Sequence, residues 1–365
     1  MANHRKIGIL KYIIANVGVF FFGFFIVDII LGDYFRFKTP VKQIPWALSD
    51  VSFKYDISKN YKSSKNNLIN YTRDNEGYRS IKKDKNKIIL TIGGSTTDQR
   101  LVDDKSTWQA LMNKNKNFSS FNIINAGVDG QSSYGHLFSL ENWHTITLPT
   151  EKVKLVIYYF GVNDRLILNE GKKYTLSKTQ NYLDKISFFI SNNSFFYEKI
   201  KIIKNKYLKQ KNDTEVMWIH QKRDYPFLSQ GEQKVMKKKE YLGEKVYSEI
   251  IRDLSIKSKL KFPNAKIIFV QQQAPGCEYL NKTTFLDRLP KEIRLEKFCE
   301  DVFNIYKIQN TVINNLPKEY KPKVLEMYKE KIISDDGVYD YIHNNEKGAL
   351  EISQYLINKI KPLLK

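Results

Sequence analysis

An apolar run of strand length, followed directly by two glycines and a serine, is the feature that most constrains the fold of this chain. Residues 88–92 are mostly β-branched and are bounded by turn residues, as in a buried strand. Gly93 and Gly94 lack a Cβ and permit a sharp turn, which places Ser95 at the end of the strand. A serine there is either an ordinary turn residue or a nucleophile, and this stretch alone is compatible with both.

Two further strand-like runs end in the same way. Residues 121–124 lead into a turn that contains Gly130, and residues 153–160 lead into the sequence Gly-Val-Asn-Asp at 161–164. The run over 153–160 is almost continuously apolar, which is typical of a strand buried on both faces. A helix or loop follows each turn, and this alternation predicts an α/β fold with a three-layer, doubly wound parallel sheet. In such sheets the ligand crevice lies at the carboxyl ends of the strands.

The C-terminal third continues the alternation. Apolar residues at every fourth position predict a helix over 242–254, and an apolar run predicts a strand over 265–270. The other predicted elements are a helix over 298–315, a last strand over 324–328 and a closing helix over 346–360.

The N-terminal segment predicts a membrane anchor. Residues 1–11 are basic, and residues 12–31 are mostly apolar and long enough to cross a bilayer core. Asp28 lies near the far end of this run, where we expect it to reach the polar interface. A cleaved signal peptide is the alternative, but its apolar region is normally shorter and ends at small residues. Since basic flanks stay in the cytoplasm, we expect a cytoplasmic tail over 1–11, a transmembrane helix over 12–31 and the bulk of the chain on the extracytoplasmic side of the cytoplasmic membrane.

Residues 32–84 are polar and irregular, and we expect a stalk and lead-in there, ahead of a globular domain over 85–365. The cluster Asn-Glu-Gly-Tyr-Arg at 75–79 is expected to be a surface loop. The lysine-rich stretch at about 165–239 is expected to be an insertion in the domain. A basic amphipathic helix within it either packs on the parent domain or lies on a membrane surface.

The formal net charge of +21 indicates which kinds of partner are possible, and the two cysteines bear on the cellular compartment. Such a charge favours nucleic acid, anionic lipid or an acidic polysaccharide as a partner, or reflects only a lysine-rich genome. The sequence has no zinc-finger spacing, aromatic-basic RNA-binding signature or basic heptad region, so we expect no nucleic-acid partner. Cys277 and Cys299 have no metal-ligand spacing. They either pair in an oxidising compartment or remain free thiols.

Four polar blocks carry the candidate chemistry. Ser95, Gly130 and Asn163 each follow one of the three predicted strands, and Asp340-x-x-His343 precedes the closing helix. Because the carboxyl ends of parallel strands meet at one edge of a sheet, we expect these blocks to share one crevice. A lone histidine is more often a surface residue than a catalyst, and only the order of the whole set indicates catalysis.

This set resembles the SGNH (GDSL-like) hydrolase family from about residue 87 to the C terminus. The cluster at 75–79 is similar to the lead-in of membrane-anchored bacterial members associated with surface glycans. The sequence departs from the GDS pattern at Gly94, where the name-giving aspartate would stand.

The resemblance implies a Ser-His-Asp triad in which His343 takes the proton of Ser95 and Asp340 orients the imidazole. It also implies an oxyanion hole made by the backbone N–H groups of Ser95 and Gly130 and by the side-chain amide of Asn163. No metal and no organic cofactor is expected.

On this resemblance we expect a membrane-anchored serine esterase that removes acyl, most simply acetyl, groups from a cell-surface glycan or lipid. An O-acyltransferase would use the same triad to modify a surface polysaccharide, with its donor supplied by a membrane partner. A glycan-binding protein with an inactive site is the non-enzymatic alternative. His136 and His144 lack a matching acid, and Asp335 and Asp336 are the alternative acids if Asp340 points away.

Overall fold

The structure is a computed structural model that describes residues 2–31, 40–58, 67–79, 86–176, 242–278 and 295–364, with residues 186, 190, 194–197 and 200. They divide into two compact units. The first unit comprises Met1–Lys42 and Gln180–Glu215, and the second comprises Gln43–Thr179 and Val216–Lys365.

The described strands all lie in the second unit. They are β1 Val51–Asp56, β2 Leu68–Arg73, β3 Lys87–Gly93, β4 Phe121–Asn125, β5 Val153–Phe160, β6 Lys266–Gln271 and β7 Lys323–Leu325. Among the described residues, β3 to β7 form one parallel sheet in the order β4-β3-β5-β6-β7. The chain thus starts in the interior of the sheet at β3 and extends it in both directions, as in doubly wound folds. The predicted α/β fold with a parallel sheet is confirmed.

Among the described residues, the first unit contains the α-helix α1 Ala2–Leu31. The described α-helices of the second unit connect the strands and cover both faces of the sheet. They are α2 Ser95–Asp98, α3 Trp108–Lys114, α4 Ser133–Ser139, α5 Thr145–Thr147, α6 Arg165–Glu170, α7 Glu244–Lys261, α8 Pro275–Glu278, α9 Leu295–Asn314, α10 Met327–Glu330 and α11 Glu346–Ile360. Crossovers between parallel strands are right-handed. The steps from β3 to β4 and from β5 to β6 run in opposite directions across the sheet, so α3 and α7 lie on opposite faces. The helix α11 packs on α3, and α9 packs on α7.

The core lies on both sides of the central strands. Of the eight residues of β5, all but Lys154 are buried, which explains its nearly continuous apolar sequence.

The predicted helices over 298–315 and 346–360 agree closely with α9 and α11. The last strand is shorter than predicted, since Met327 already begins α10.

Part of the segment expected to be an irregular stalk is a β-hairpin. β1 and β2 pair antiparallel, and their buried side chains form a core cluster with Leu101 against which Tyr339 packs. The expectation of a surface loop at 75–79 is also wrong at its end, where Tyr78 and Arg79 are buried. Polar sequence indicated exposure there, but the partners that satisfy these side chains lie elsewhere in the chain.

The first unit contains α1, a helix of 30 residues. Asp28 is buried on it instead of reaching a polar interface. It accepts hydrogen bonds from the Ser194 hydroxyl and from the backbone N–H groups of Phe195 (3.0 Å) and Phe196 (3.3 Å). Within the part of the chain that the structure describes, no helix combines the length and the apolar character needed to cross a membrane. The transmembrane helix expected over 12–31 is therefore not supported.

The sequence left open whether the two cysteines pair, and it predicted an insertion at 165–239. Cys277 and Cys299 form a disulfide, with their Cα atoms 5.5 Å apart. The expected insertion at 165–239 begins with α6 and lies largely outside the described residues, as does most of the basic amphipathic helix expected within it.

Candidate active site

The nucleophile turn joins β3 to α2, and Ser95 is the first residue of that short helix. A Cβ on Gly93 would lie 2.4 Å from the carbonyl oxygen of Tyr159, and one on Gly94 would lie 2.2 Å from Nδ2 of Asn163. The backbone contact requires glycine at position 93, whereas the close neighbour of Gly94 is the end of a side chain and its φ of −87° is not a left-handed value. As the opening residue of a helix, Ser95 has a backbone N–H that no helix carbonyl can accept. That N–H is available to a ligand.

The predicted triad residues lie in one hydrogen-bonded line. Nε2 of His343 is 2.8 Å from the Ser95 hydroxyl, and Nδ1 of His343 is 2.6 Å from Oδ2 of Asp340. The other oxygen of Asp340 accepts hydrogen bonds from the backbone N–H groups of Ile342 (2.8 Å) and His343 (2.6 Å). A carboxylate held at both oxygens fixes the imidazole with Nδ1 protonated, which leaves Nε2 free to accept the proton of the hydroxyl.

Burial and charge act in opposite directions on the acid and the base. Burial disfavours the charged forms of Asp340 and His343, but the interaction between the two groups prevails over burial at both positions. The pKa of Asp340 is accordingly lowered and the pKa of His343 is raised, with a smaller contribution to the latter from Asp129. The site therefore favours a carboxylate beside an imidazole that readily becomes an imidazolium.

The two remaining blocks adjoin the nucleophile turn. The side-chain amide of Asn163 lies against Gly94 and donates to the carbonyl oxygen of Gln131 (3.0 Å). Gly130 precedes Gln131 with a φ of +72°, which favours glycine. The amide of Asn163 has a second N–H beside the one that Gln131 accepts.

Asp164 connects the second and third blocks. Its carboxylate is buried and accepts hydrogen bonds from the backbone N–H (2.6 Å) and the hydroxyl (2.5 Å) of Ser133, and from the hydroxyl of Tyr247 (3.2 Å). Burial raises the pKa of Asp164 to about 6. These bonds hold the turn that contains Asn163 against the start of α4, which follows Gly130 closely.

Two buried arginines that sequence reasoning missed support the nucleophile turn. Arg73 pairs with Asp98 (2.6 Å), the last residue of α2, and also donates to the carbonyl oxygen of Gly127. Arg79 donates to the backbone carbonyls of Asp98, Gln99 and Val102. The cluster at 75–79 was the only signal in the sequence, and it indicated a family resemblance without indicating this role.

A tyrosine beside the base was also missed. The ring of Tyr339 stacks on the imidazole of His343, with centroids 5.6 Å apart and planes 8° from parallel. Tyr339 itself packs against the β1–β2 hairpin cluster. The hairpin is therefore connected to His343 through one aromatic side chain.

The alternative residues lie elsewhere. His136 and His144 are buried, and burial lowers the pKa of each to about 3, so both remain neutral. Asp336 pairs with Lys347, and Asp340 points at His343, so no alternative acid is required. Among the described side chains, no three His, Cys, Asp or Glu residues come together in a way that would hold a metal ion.

Comparisons with known proteins give likenesses in structure only. No protein-family model matches the sequence, and no curated protein matches it. The solved structure of TesA matches with 15% identity and a TM-score of 0.41, covering 76% of this chain and 99% of TesA. A lipolytic protein of the G-D-S-L family from Veillonella parvula matches with 13% identity and a TM-score of 0.40, covering 74% and 97%. A phospholipase A1 from Streptomyces albidoflavus matches with 12% identity and a TM-score of 0.37, covering 75% and 98%.

Several of the matching structures are GDSL lipolytic proteins, the family that the motif order resembles. The assignment of catalytic residues in this chain rests on the distances within its own site.

Proposed function

We propose that this chain is a serine ester hydrolase of the SGNH type that removes acyl, most simply acetyl, groups from a cell-surface glycan or lipid. One observation carries the proposal: a continuous line of hydrogen bonds joins Ser95 to His343 (2.8 Å) and His343 to Asp340 (2.6 Å). This is the geometry in which a serine hydroxyl is activated as a nucleophile.

The site supports a two-step acyl transfer. The hydroxyl oxygen of Ser95 attacks the ester carbonyl while Nε2 of His343 takes its proton, and Asp340 stabilises the resulting imidazolium. The tetrahedral oxyanion accepts hydrogen bonds from the N–H groups of Ser95 and Gly130 and from the amide of Asn163. When the carbon–oxygen bond to the leaving group breaks, His343 gives its proton to the departing alkoxide. Water then repeats the same steps on the acyl-enzyme, releasing the free acid and restoring Ser95.

We further propose that the enzyme works outside the cytoplasm. The disulfide between Cys277 and Cys299 supports this location, because disulfides persist mainly in oxidising compartments. The net charge of +21 is compatible with an anionic glycan or lipid surface as the place of action. Attachment to the membrane through residues 12–31 stays a prediction from the sequence.

The first test is Ser95→Ala in the purified full-length chain. We expect turnover of p-nitrophenyl acetate to fall ~10⁴-fold or more, since the acyl-enzyme can no longer form. Ser119→Ala, at an exposed serine, is the control and should keep the full rate. If Ser95→Ala retains a tenth of the activity with an unchanged fold, Ser95 is not the nucleophile.

The second test identifies the direction of acyl transfer in cells. Mass spectrometry of surface glycans and lipids would compare wild-type cells with cells that carry only the Ser95→Ala protein. An increase in acetylation in the mutant supports the esterase. A decrease would instead indicate an O-acyltransferase, which shares the acyl-enzyme but passes the acyl group to a sugar hydroxyl.

A further inference from the structure

Three consecutive buried glutamines, Gln271, Gln272 and Gln273, stand at the carboxyl end of β6, the edge of the sheet where the site lies. Burying an amide is costly unless its hydrogen bonds are replaced. Each of the three is bonded to a different part of the molecule. Gln271 donates to the side chains of Gln309 (3.1 Å) and Asn310 (2.9 Å), both on α9.

Gln272 contacts the nucleophile turn. Its side-chain oxygen accepts a hydrogen bond from the hydroxyl of Thr96 (2.9 Å), the residue directly after Ser95. Its backbone carbonyl accepts a hydrogen bond from the hydroxyl of Tyr306 (2.6 Å). The end of β6 is thus tied to the short helix that presents the nucleophile.

Gln273 contacts the loop that carries the triad acid and base. Its amide nitrogen donates to the carbonyl oxygen of Ile333 (3.0 Å), and its amide oxygen accepts from the N–H of the same residue (2.6 Å). Two bonds to one residue fix both distance and orientation, as a bridge between two strands does. A second attachment follows three residues later, where the N–H of Gly276 donates to the carbonyl oxygen of Tyr341 (2.8 Å).

This loop needs such attachments because the sheet ladder does not reach it. It runs from the end of α10 to the start of α11, beyond the last strand of the sheet. Ser334 and Asp336 tie it to α11, through Glu351 (2.6 Å) and Lys347. Gln273 and Gly276 instead tie it to the segment that continues directly from β6. In the same sheet, β6 is separated from β3, which presents Ser95, only by β5.

We infer that Gln273 is a positioning residue for the triad, which holds the loop through Ile333 so that His343 stays within hydrogen-bond distance of Ser95. It touches neither substrate nor the reacting atoms. Gln272 holds the turn that carries Ser95 in the same way, through its hydrogen bond with Thr96. The inference rests on the proposed esterase function for its kinetic test, and it has a second test that does not.

The kinetic test compares Gln273→Leu with Gln271→Leu in the full-length chain. Both changes remove a buried amide, one at the last residue of β6 and the other two residues further on, so both are expected to lower the melting temperature. Only the first releases the loop, and a displacement of about 1 Å at the catalytic groups typically costs ~10²-fold in rate. We expect Gln273→Leu to lower kcat on p-nitrophenyl acetate by about 10²-fold with KM changed less than about threefold. Gln271→Leu should keep kcat within about threefold of the wild-type value.

The second test is spectroscopic. The proton shared between Nδ1 of His343 and Asp340 should give a far-downfield proton NMR resonance, assigned by its loss in His343→Ala. We expect the resonance to persist in Gln271→Leu and to shift or broaden in Gln273→Leu. If Gln273→Leu does not fold, Gln273→Asn keeps a polar amide but is too short for both bonds. That variant should show the same change, with kcat lowered about tenfold.

The outcomes separate the two proposals. If the wild-type chain does not hydrolyse the ester and a fluorophosphonate does not label Ser95, the esterase proposal fails, and the NMR comparison still tests the role of Gln273. A Gln273→Leu protein with wild-type kcat and an unchanged resonance overturns the positioning role. An equal loss of kcat in Gln271→Leu also overturns it, since the effect would then be one of general stability.

Discussion

Gly94→Ala tests whether the side-chain amide of Asn163 is an oxyanion donor. The φ of −87° at Gly94 is not one of the left-handed values that require glycine. The added Cβ would, however, lie 2.2 Å from Nδ2 of Asn163, which is far inside van der Waals contact. The nearest other atom, the carbonyl oxygen of Gln131, is 3.4 Å away. The amide of Asn163 must therefore move, and it carries its donor away from the oxyanion.

The size of the effect follows from the number of donors. Loss of one oxyanion donor typically costs ~10²–10³-fold in kcat, or about 2.7–4 kcal/mol of transition-state stabilisation. We expect Gly94→Ala to lower kcat on p-nitrophenyl acetate by about that factor. The change should leave most of the stability intact, since the group that must shift is the end of a side chain, which costs less than moving backbone.

A double-mutant cycle isolates this mechanism. In the Asn163→Ala background the displaced amide is already absent, so adding Gly94→Ala should cost less than about threefold in kcat. The assay is initial-rate kinetics on all four proteins, with urea unfolding to verify that each is folded. If Gly94→Ala costs the same factor in both backgrounds, the glycine acts through something other than Asn163, and the assignment of that donor is refuted.

The remaining predictions concern the base and the support of the nucleophile turn. Burial lowers the pKa of His343 and Asp340 raises it more, so the raised pKa means that the neutral base forms at a higher pH than usual. The value of kcat/KM should therefore rise with pH with a midpoint above about 6.5, and a flat profile from pH 5 to 8 would contradict a histidine base. Arg79→Met leaves buried carbonyls of α2 and its following loop without a donor, and should lower the free energy of unfolding by about 3–5 kcal/mol. Arg252→Met, at an exposed position of α7, should change it by less than about 0.5 kcal/mol in the same urea titration, and an equal effect of the two would refute the buried role.

The sequence by itself determined the sheet and the positions of the turns that carry the candidate catalytic residues. Strand-length apolar runs and glycine-containing turns are local signals, and both β3 and β5 end where these signals place them. The order of the polar blocks predicted that Ser95, Asn163 and His343 lie close together, and the structure brings them together. Their proximity could be predicted without any measured distance, because parallel strands bring their carboxyl ends to one edge of the sheet.

The choice of the triad acid required the tertiary structure. Asp335, Asp336 and Asp340 all lie within nine residues of His343, and spacing alone left the first two as alternatives. The fold of the loop turns Asp340 toward His343, and it brings His343 to a serine that lies 248 positions away in the sequence.

Only the tertiary structure decided which polar side chains are buried. Arg79, Asp28 and the glutamines at the end of β6 suggest solvent exposure in the sequence, because burying a charge or an amide without a partner is costly. Each is buried against partners that are distant in the chain, such as Ile333 for Gln273. The pairing of Cys277 with Cys299 is of the same kind, since it depends on how α8 and α9 pack. A sequence shows which groups need partners, but only the folded chain shows where those partners are.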